Sequence, residues 1–254
     1  MEDRTQKLYL ERNSRKGIKM KIKQMKNTNW KKLGFEFLSI FIAVISAFAL
    51  NNWNENRRDN EAADKILAEI SNGLEKDIED LRINKRGHED GILACKFWRN
   101  LLEGREVNLD TLSMHYFNLT RDYISIQNIS GYETLKSRGL ELIKDDALRL
   151  EIITLYEYDY NILKKFEEEY DEMQYHNNYF AAINNKIAPH LGFDESGNIA
   201  GMQLPLRISE EEKNILLSYL WKIQMNRRFI LSFYAQTEEK LIQLREKIER
   251  NIER

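Results

Sequence analysis

From Leu33 to Leu50 the chain abandons any alternation of polar and apolar positions and runs almost uniformly apolar, with Glu36 as the sole charge. Eighteen helical residues rise about 27 Å, close to the roughly 30 Å hydrocarbon core of a bilayer. Trp30, Lys31 and Lys32 stand before the run and Trp53 after it. Indole rings settle at the headgroup level and lysine stems reach toward it, so these four are the expected interfacial anchors. The pattern predicts one transmembrane helix over residues 33–53, between a tail (1–32) and a larger domain (54–254).

Beyond the run, apolar residues recur at steps of three and four. Leu67, Ile70, Leu74, Ile78 and Leu81 lead into His88, Ile92, Cys95, Trp98 and Leu102, which predicts a helix continuous with the span as far as Glu103. Gly87 and Gly91 are its weak points, each costing about 1 kcal/mol relative to alanine, and Gly104 closes it. Residues 105–144 read as a connector of short helices. Asp110 is the expected cap of one running to about Leu119, and Ser130 of another that Gly139 ends.

Asp145 then caps a long predicted segment to Ala188, stopped by Pro189, with a stripe of Leu148, Ile152, Leu155, Ile162, Phe166, Met173, Phe180 and Ile187. Residues 189–208 hold both prolines and three glycines and predict an exposed loop. Ser209-Glu210-Glu211-Glu212 is a capping box. It starts a helix whose stripe is Ile215, Tyr219, Ile223, Ile230, Phe233, Leu241, Leu244 and Ile248. The expected fold is all-α: one N-terminal transmembrane helix continuing into an elongated antiparallel bundle of three long helices, plus the short helical connector.

Composition agrees with long helices, since 254 residues contain two prolines and 31% charged side chains. A single cysteine, Cys95, excludes an internal disulfide framework. Charge sets the orientation. Residues 1–32 carry eleven Lys/Arg against three acids, whereas residues 54–254 carry 28 against 37. Basic residues beside a span stay in the cytoplasm, so residues 54–254 are expected outside it. Ala47-Phe48-Ala49 fits a signal-peptide cleavage pattern, but the basic lead is long and no polar region precedes the site, which favours an anchor. The basic tail reads as a topology signal rather than a lipid or nucleic-acid contact, and Met20 looks like a natural start.

The run Leu50-Asn51-Asn52-Trp53-Asn54-Glu55 directly after an apolar span, with Glu36 early in that span, resembles an uncharacterised domain-of-unknown-function family of single-span membrane proteins from Gram-negative bacteria. A second block, Gly131-Tyr132-Glu133-Thr134-Leu135-Lys136-Ser137 with Asp145-Asp146-Ala147-Leu148-Arg149 shortly after, belongs to the same resemblance. It covers about residues 30–160. That family carries no known activity or ligand, so the resemblance implies a location: the bacterial inner membrane, single-pass, with a cytoplasmic N-terminus and a periplasmic C-terminal domain.

Motifs for chemistry are sparse. His88, His115, His176 and His190 form no paired metal-ligand spacing, and Glu172 with His176 reads as a solvated helix face. No nucleophile elbow or glycine-rich phosphate loop occurs. Tyrosines between Tyr156 and Tyr179, interleaved with Glu167, Glu168, Glu169, Asp171 and Glu172, read as a half-buried stripe with a solvated acidic back. Within the span, Glu36, Ser39, Ala43, Ser46 and Ala47 share one helical face opposite Phe37, Phe41 and Phe48. Small residues four apart permit close helix contact in lipid, so this face is the expected helix–helix contact, with a monomeric anchor as the alternative. Glu36 is either functional or an interfacial ion pair with Lys32. The expected function is a non-enzymatic interaction or assembly protein of the envelope, the alternative being a ligand-sensing bundle acting through a partner membrane protein. No catalytic residue, metal or cofactor is expected. The expected partners are the lipid bilayer and either a second copy or another membrane protein, with no nucleic acid and any small-molecule ligand left open.

Overall fold

The computed structural model describes residues 30–253, so the predicted basic tail lies outside the described residues apart from Trp30, Lys31 and Lys32. The protein is mostly helical and divides into two units, with the boundary between Asp59 and Asn60. Helix α1 (Trp30–Leu102) contributes to both.

In the first unit every residue from Trp30 onward is exposed, including Phe35, Phe37, Ile40 and Phe48. Its most apolar 18-residue window has a mean hydropathy of 2.2 and is not buried at all. By length and composition this helix can cross a membrane.

In the second unit the predicted stripe of α1 is buried, from Leu67 and Ile70 through Leu74 to Trp98. Gly104, at φ +71°, ends the helix in the left-handed region, and the Arg105 amide donates back to the Asn100 carbonyl at 2.9 Å. After a 3₁₀ turn (Leu109–Thr111) come α2 (Leu112–Leu119) and α3 (Ser130–Arg138). Asp145 caps α4 (Asp146–Thr154) by accepting from the amides of Ala147 and Leu148. Then follow a π turn (Leu155–Asp159), α5 (Tyr160–Lys164), a second π turn (Lys165–Glu169), a third (His176–Phe180) and α6 (Ala181–Ile187). The last helix, α7 (Glu210–Ile252), begins at Ser209 with the full capping box.

Side-chain pairs fix the directions. Along α1, Ser71, Arg82 and Arg99 reach Glu249, Glu238 and Gln224 of α7 at 3.3, 2.7 and 2.7 Å, so the partner number falls as the α1 number rises. These two helices are therefore antiparallel. Glu151 and Asp159 likewise meet Lys247 and Lys240 at 2.7 and 2.6 Å, which sets α4 and the turn after it antiparallel to α7.

Several expectations are corrected. The segment from Asp145 is not one regular helix to Ala188: Tyr170 takes extended backbone (ψ 108°) and breaks it. The first π turn holds one extra residue per turn, which advances the buried register by one position. Hence Tyr156, Tyr160 and Leu163 are buried where the α-helical stripe predicted Ile162 and Phe166, which are half-buried. On α7 Leu216 and Leu220 are buried, while Ile215 is exposed. Asn108, not Asp110, caps the turn before α2, and Asn128 accepts from Ser130 at the start of α3. The expected loop 189–208 contains a hairpin: β1 (Leu191–Phe193) pairs antiparallel with β2 (Ile199–Met202). The Asp194 carboxylate accepts from the Ser196 and Asn198 amides and closes its turn.

Candidate functional site

The polar centre of the second unit is built around Arg227 of α7, which lies at an apolar-stripe position between Ile223 and Ile230 and is 0% exposed. Its guanidinium donates to the carbonyls of Asn118 (3.3 Å), Leu119 (3.3 Å) and Arg121 (2.8 Å), at the C-terminal end of α2. That end of a helix carries partial negative charge, which offsets part of the cost of burying the cation. The Tyr175 ring lies 4.3 Å from the guanidinium carbon and adds a cation–π contact. Burial lowers the Arg227 pKa from its ordinary value.

His88 of α1 completes the centre. Its Nδ1 is 3.1 Å from Arg227 Nη1, and because an arginine only donates, the ring proton sits on Nε2. Burial, reinforced by the Arg227 charge, pulls the imidazole down to about 3, so it is neutral at physiological pH. Gly91 leaves the space that the guanidinium fills, since a Cβ there would lie 2.3 Å from Arg227 Nε. Gly87 does the same for Tyr123, at 2.1 Å from its ring. The two predicted weak points of α1 are its points of closest approach.

A second cluster of polar contacts clamps the extended segment 121–129. Asp80 and Asp77, three residues apart on α1, accept from the amides of Ile126 (2.9 Å) and Asn128 (2.7 Å). Glu167, in the second π turn, accepts from the Ser125 amide and hydroxyl and from Tyr234 of α7. Asp122 accepts from the Tyr175 amide at 2.9 Å. Tyr160 donates to Asp77 at 2.5 Å. Burial pushes the Asp77 carboxyl up to about 6 and the Glu167 carboxyl up to about 7.

The residues singled out in the span stay together on their helix. Ser39 donates back to the Glu36 carbonyl at 2.8 Å, and Lys32 Nζ lies 4.0 Å from Glu36 Oε1 with both side chains exposed. Arg57 lies over Trp53, 5.8 Å from its ring centre. Elsewhere, Cys95 is buried and its thiol is pushed up to about 11, so it is a packing residue. Glu172 pairs with Lys222 (3.7 Å), while His176 stacks on Phe180. Among the described residues no group of three His, Cys, Asp or Glu side chains is arranged to hold a metal ion.

Arg227 and Asp77 stand outside the expected candidates, and Glu167, expected on a solvated acidic face, is buried. Two of them carried a signal: Arg227 keeps the three-and-four spacing of an apolar stripe, and Asp77 sits between Leu74, Ile78 and Leu81. Glu167 becomes buried only because of the π turns.

No family model matches the chain, and no solved structure matches it. Among curated proteins, the type II methyltransferase M.FnuDI of Fusobacterium nucleatum is 24% identical over 203 residues, covering 76% of this chain and 52% of the methyltransferase. The chain thus spans about half the length of the curated relative it matches. This similarity corrects the expectation of a protein that is not an enzyme, because the relative is one by name. The absence of a nucleophile elbow, a paired metal-ligand spacing and a phosphate loop bears on hydrolytic, metal and phosphate chemistry and says nothing of methyl transfer.

Proposed function

We propose that the chain is a membrane-anchored helical protein that acts by interaction or assembly. The span, anchored by Trp30, Lys31, Lys32 and Trp53, sits in a bacterial inner membrane with the N-terminus cytoplasmic and residues 54–254 periplasmic. Of the three long helices expected there as an elongated antiparallel bundle, α1 and α7 are continuous, and the third, from Asp145, is a broken series whose first part runs antiparallel to α7. The directions of the α1–α7 and α4–α7 pairs support the bundle, and α7 alone measures about 65 Å. The observation that carries the reading is the wholly exposed apolar stretch of α1, which finds no cover among the described residues.

The face Glu36, Ser39, Ala43, Ser46 and Ala47 is the proposed contact with a second copy or a partner's span. Small side chains let two backbones approach, which is the chief source of helix attraction in lipid. Crosslinking in native membranes tests this. Ala43→Leu is expected to abolish the association and Phe41→Leu, on the opposite face, to preserve it. Equal behaviour of both variants and the unaltered chain removes the face from consideration.

The likeness to a methyltransferase favours a second reading, in which this chain, or a longer protein of which it is a piece, takes part in methyl transfer. Purified full chain incubated with a labelled methyl donor and cell extract tests it. Label above that of a boiled control supports the reading, and equal label discards it.

A further inference from the structure

A cleft of about 820 Å³, a size typical of small-molecule sites, lies outside the polar centre. The outer face of α2, the third π turn and the turn of the hairpin form it. Phe117 of α2 is 58% exposed, and the Arg121 guanidinium lies over its ring, 4.4 Å from the centre. On the π turn His176 stacks on Phe180 at 4.5 Å, their planes 16° apart. Met114 and Ile199 add apolar surface. The Asp122 carboxylate, by receiving the Tyr175 amide, ties the end of α2 to the π turn and holds the two aromatic walls together. No Asp or Glu lines the cleft. Of the acids around it, Asp194 is taken up by its turn amides and Glu172 by Lys222, while Asp90, Asp171 and Glu195 are exposed and outside the lining. Arg121 makes neither an ion pair nor a side-chain hydrogen bond with any described residue, and ring faces alone hold its guanidinium.

We propose that this cleft binds a small aromatic carboxylate, its ring laid between the Phe117 and Phe180 walls and its carboxylate on the Arg121 guanidinium. The inference goes beyond the interaction reading and does not depend on it. Each part of the ligand answers a separate feature of the cleft. Exposed ring faces favour a flat aromatic body over a flexible acyl chain, because stacked rings gain more than their buried area alone supplies. A guanidinium stacked on a ring keeps its N–H fork in plane and free, and that fork matches a carboxylate with two parallel hydrogen bonds. A single arginine, with no acid in the lining to compete for it, suits one such group. The volume accommodates a small molecule and not a second helix.

Equilibrium dialysis of 2-naphthoate against the full chain in lipid nanodiscs, with empty nanodiscs subtracted, tests this. One molecule is expected to bind per chain, with a Kd below about 1 mM. Arg121→Gln is expected to weaken binding about tenfold or more, and Phe117→Ala to weaken it as well. Arg138→Gln, which removes an exposed cation outside the cleft, is expected to leave it unchanged. The amide 2-naphthamide, which lacks the charge, and octanoate, which lacks the ring, are each expected to bind about tenfold or more weakly. Absence of saturable binding overturns the proposal, as does binding indifferent to Arg121→Gln, or octanoate or inorganic phosphate bound as tightly as 2-naphthoate. Circular dichroism checks that the variants, all at exposed positions, keep their helices. Ser113→Trp, which fills the cleft from an exposed position and removes no proposed contact, is expected to block binding, and unchanged binding there also overturns the site.

Discussion

Arg227 Nη1 on α7 lies 3.1 Å from His88 Nδ1 on α1, and both side chains are buried, 139 positions apart in sequence. A cation and an imidazole meet here with no carboxylate hydrogen-bonded to either among the described residues, the Asp122 charge acting on Arg227 from farther off. The pair is tolerable because the imidazole is neutral and because carbonyls at the C-terminal end of α2 accept from Arg227 Nη2, although Arg227 Nε is buried with no hydrogen-bond partner among the described residues. The contact joins three helices at one point, and Gly91 makes the room for it.

Substitution at Gly91 is expected to be expensive for that reason. Gly91→Ala adds a Cβ 2.3 Å from Arg227 Nε, and displacing an enclosed guanidinium is expected to cost about 1–3 kcal/mol. Gly73→Ala on the same helix meets only ordinary contacts, from 3.4 Å, and is expected to gain up to about 1 kcal/mol from helix propensity. Arg227→Met, which strands the buried carbonyls of Asn118 and Leu119, is expected to lose about 3 kcal/mol. Thermal melts of a fragment starting at Asn56 read these as shifts of about 2–4 °C per kcal/mol. A Gly91→Ala protein as stable as Gly73→Ala contradicts the packing described.

Glu167 gives the fold a pH dependence. Its carboxyl is raised from an ordinary 4.5 to about 7 by burial, so the folded chain holds a proton that the unfolded chain gives up. The stability that this proton supplies is complete below about pH 4.5 and is lost as pH rises through 7. His88, lowered to about 3, acts in the opposite sense below 6.5, so the two overlap in mildly acid solution. Comparison with Glu167→Gln isolates the first. The melting temperature of the unaltered chain minus that of the variant is expected to fall between pH 5 and pH 8. A constant difference contradicts a buried, protonated Glu167.

The exposed apolar helix and the long helices were legible because each rests on a repeated local pattern: an apolar run, a three-and-four stripe, a capping box. The stripe from Leu67 to Trp98 is buried as the pattern requires, except Ile92, which is half-buried. What stayed hidden depends on partners far away in the chain. No local signal marks the π turn after Thr154, yet it moves Tyr160 and Glu167 into the core and Ile162 toward the surface. The hairpin at Leu191–Met202 was concealed because strands of three and four residues are too short to display a period of two. Arg227 keeps the spacing of the stripe, but its charge kept it out of an apolar pattern. Only the α2 carbonyls and Gly91, brought to it by folding, explain its place.

The central claim is that residues 33–53 cross a membrane with everything after them on the far side. A fusion of alkaline phosphatase, active only after export, to Arg254 of the full chain tests it directly, paired with a fluorescent reporter that matures only in the cytoplasm. The expected result is an active phosphatase and a dark reporter, both abolished when residues 33–50 are deleted. An inactive phosphatase with a fluorescent reporter contradicts the orientation, and a fusion that leaves membranes on alkaline washing contradicts the anchor itself.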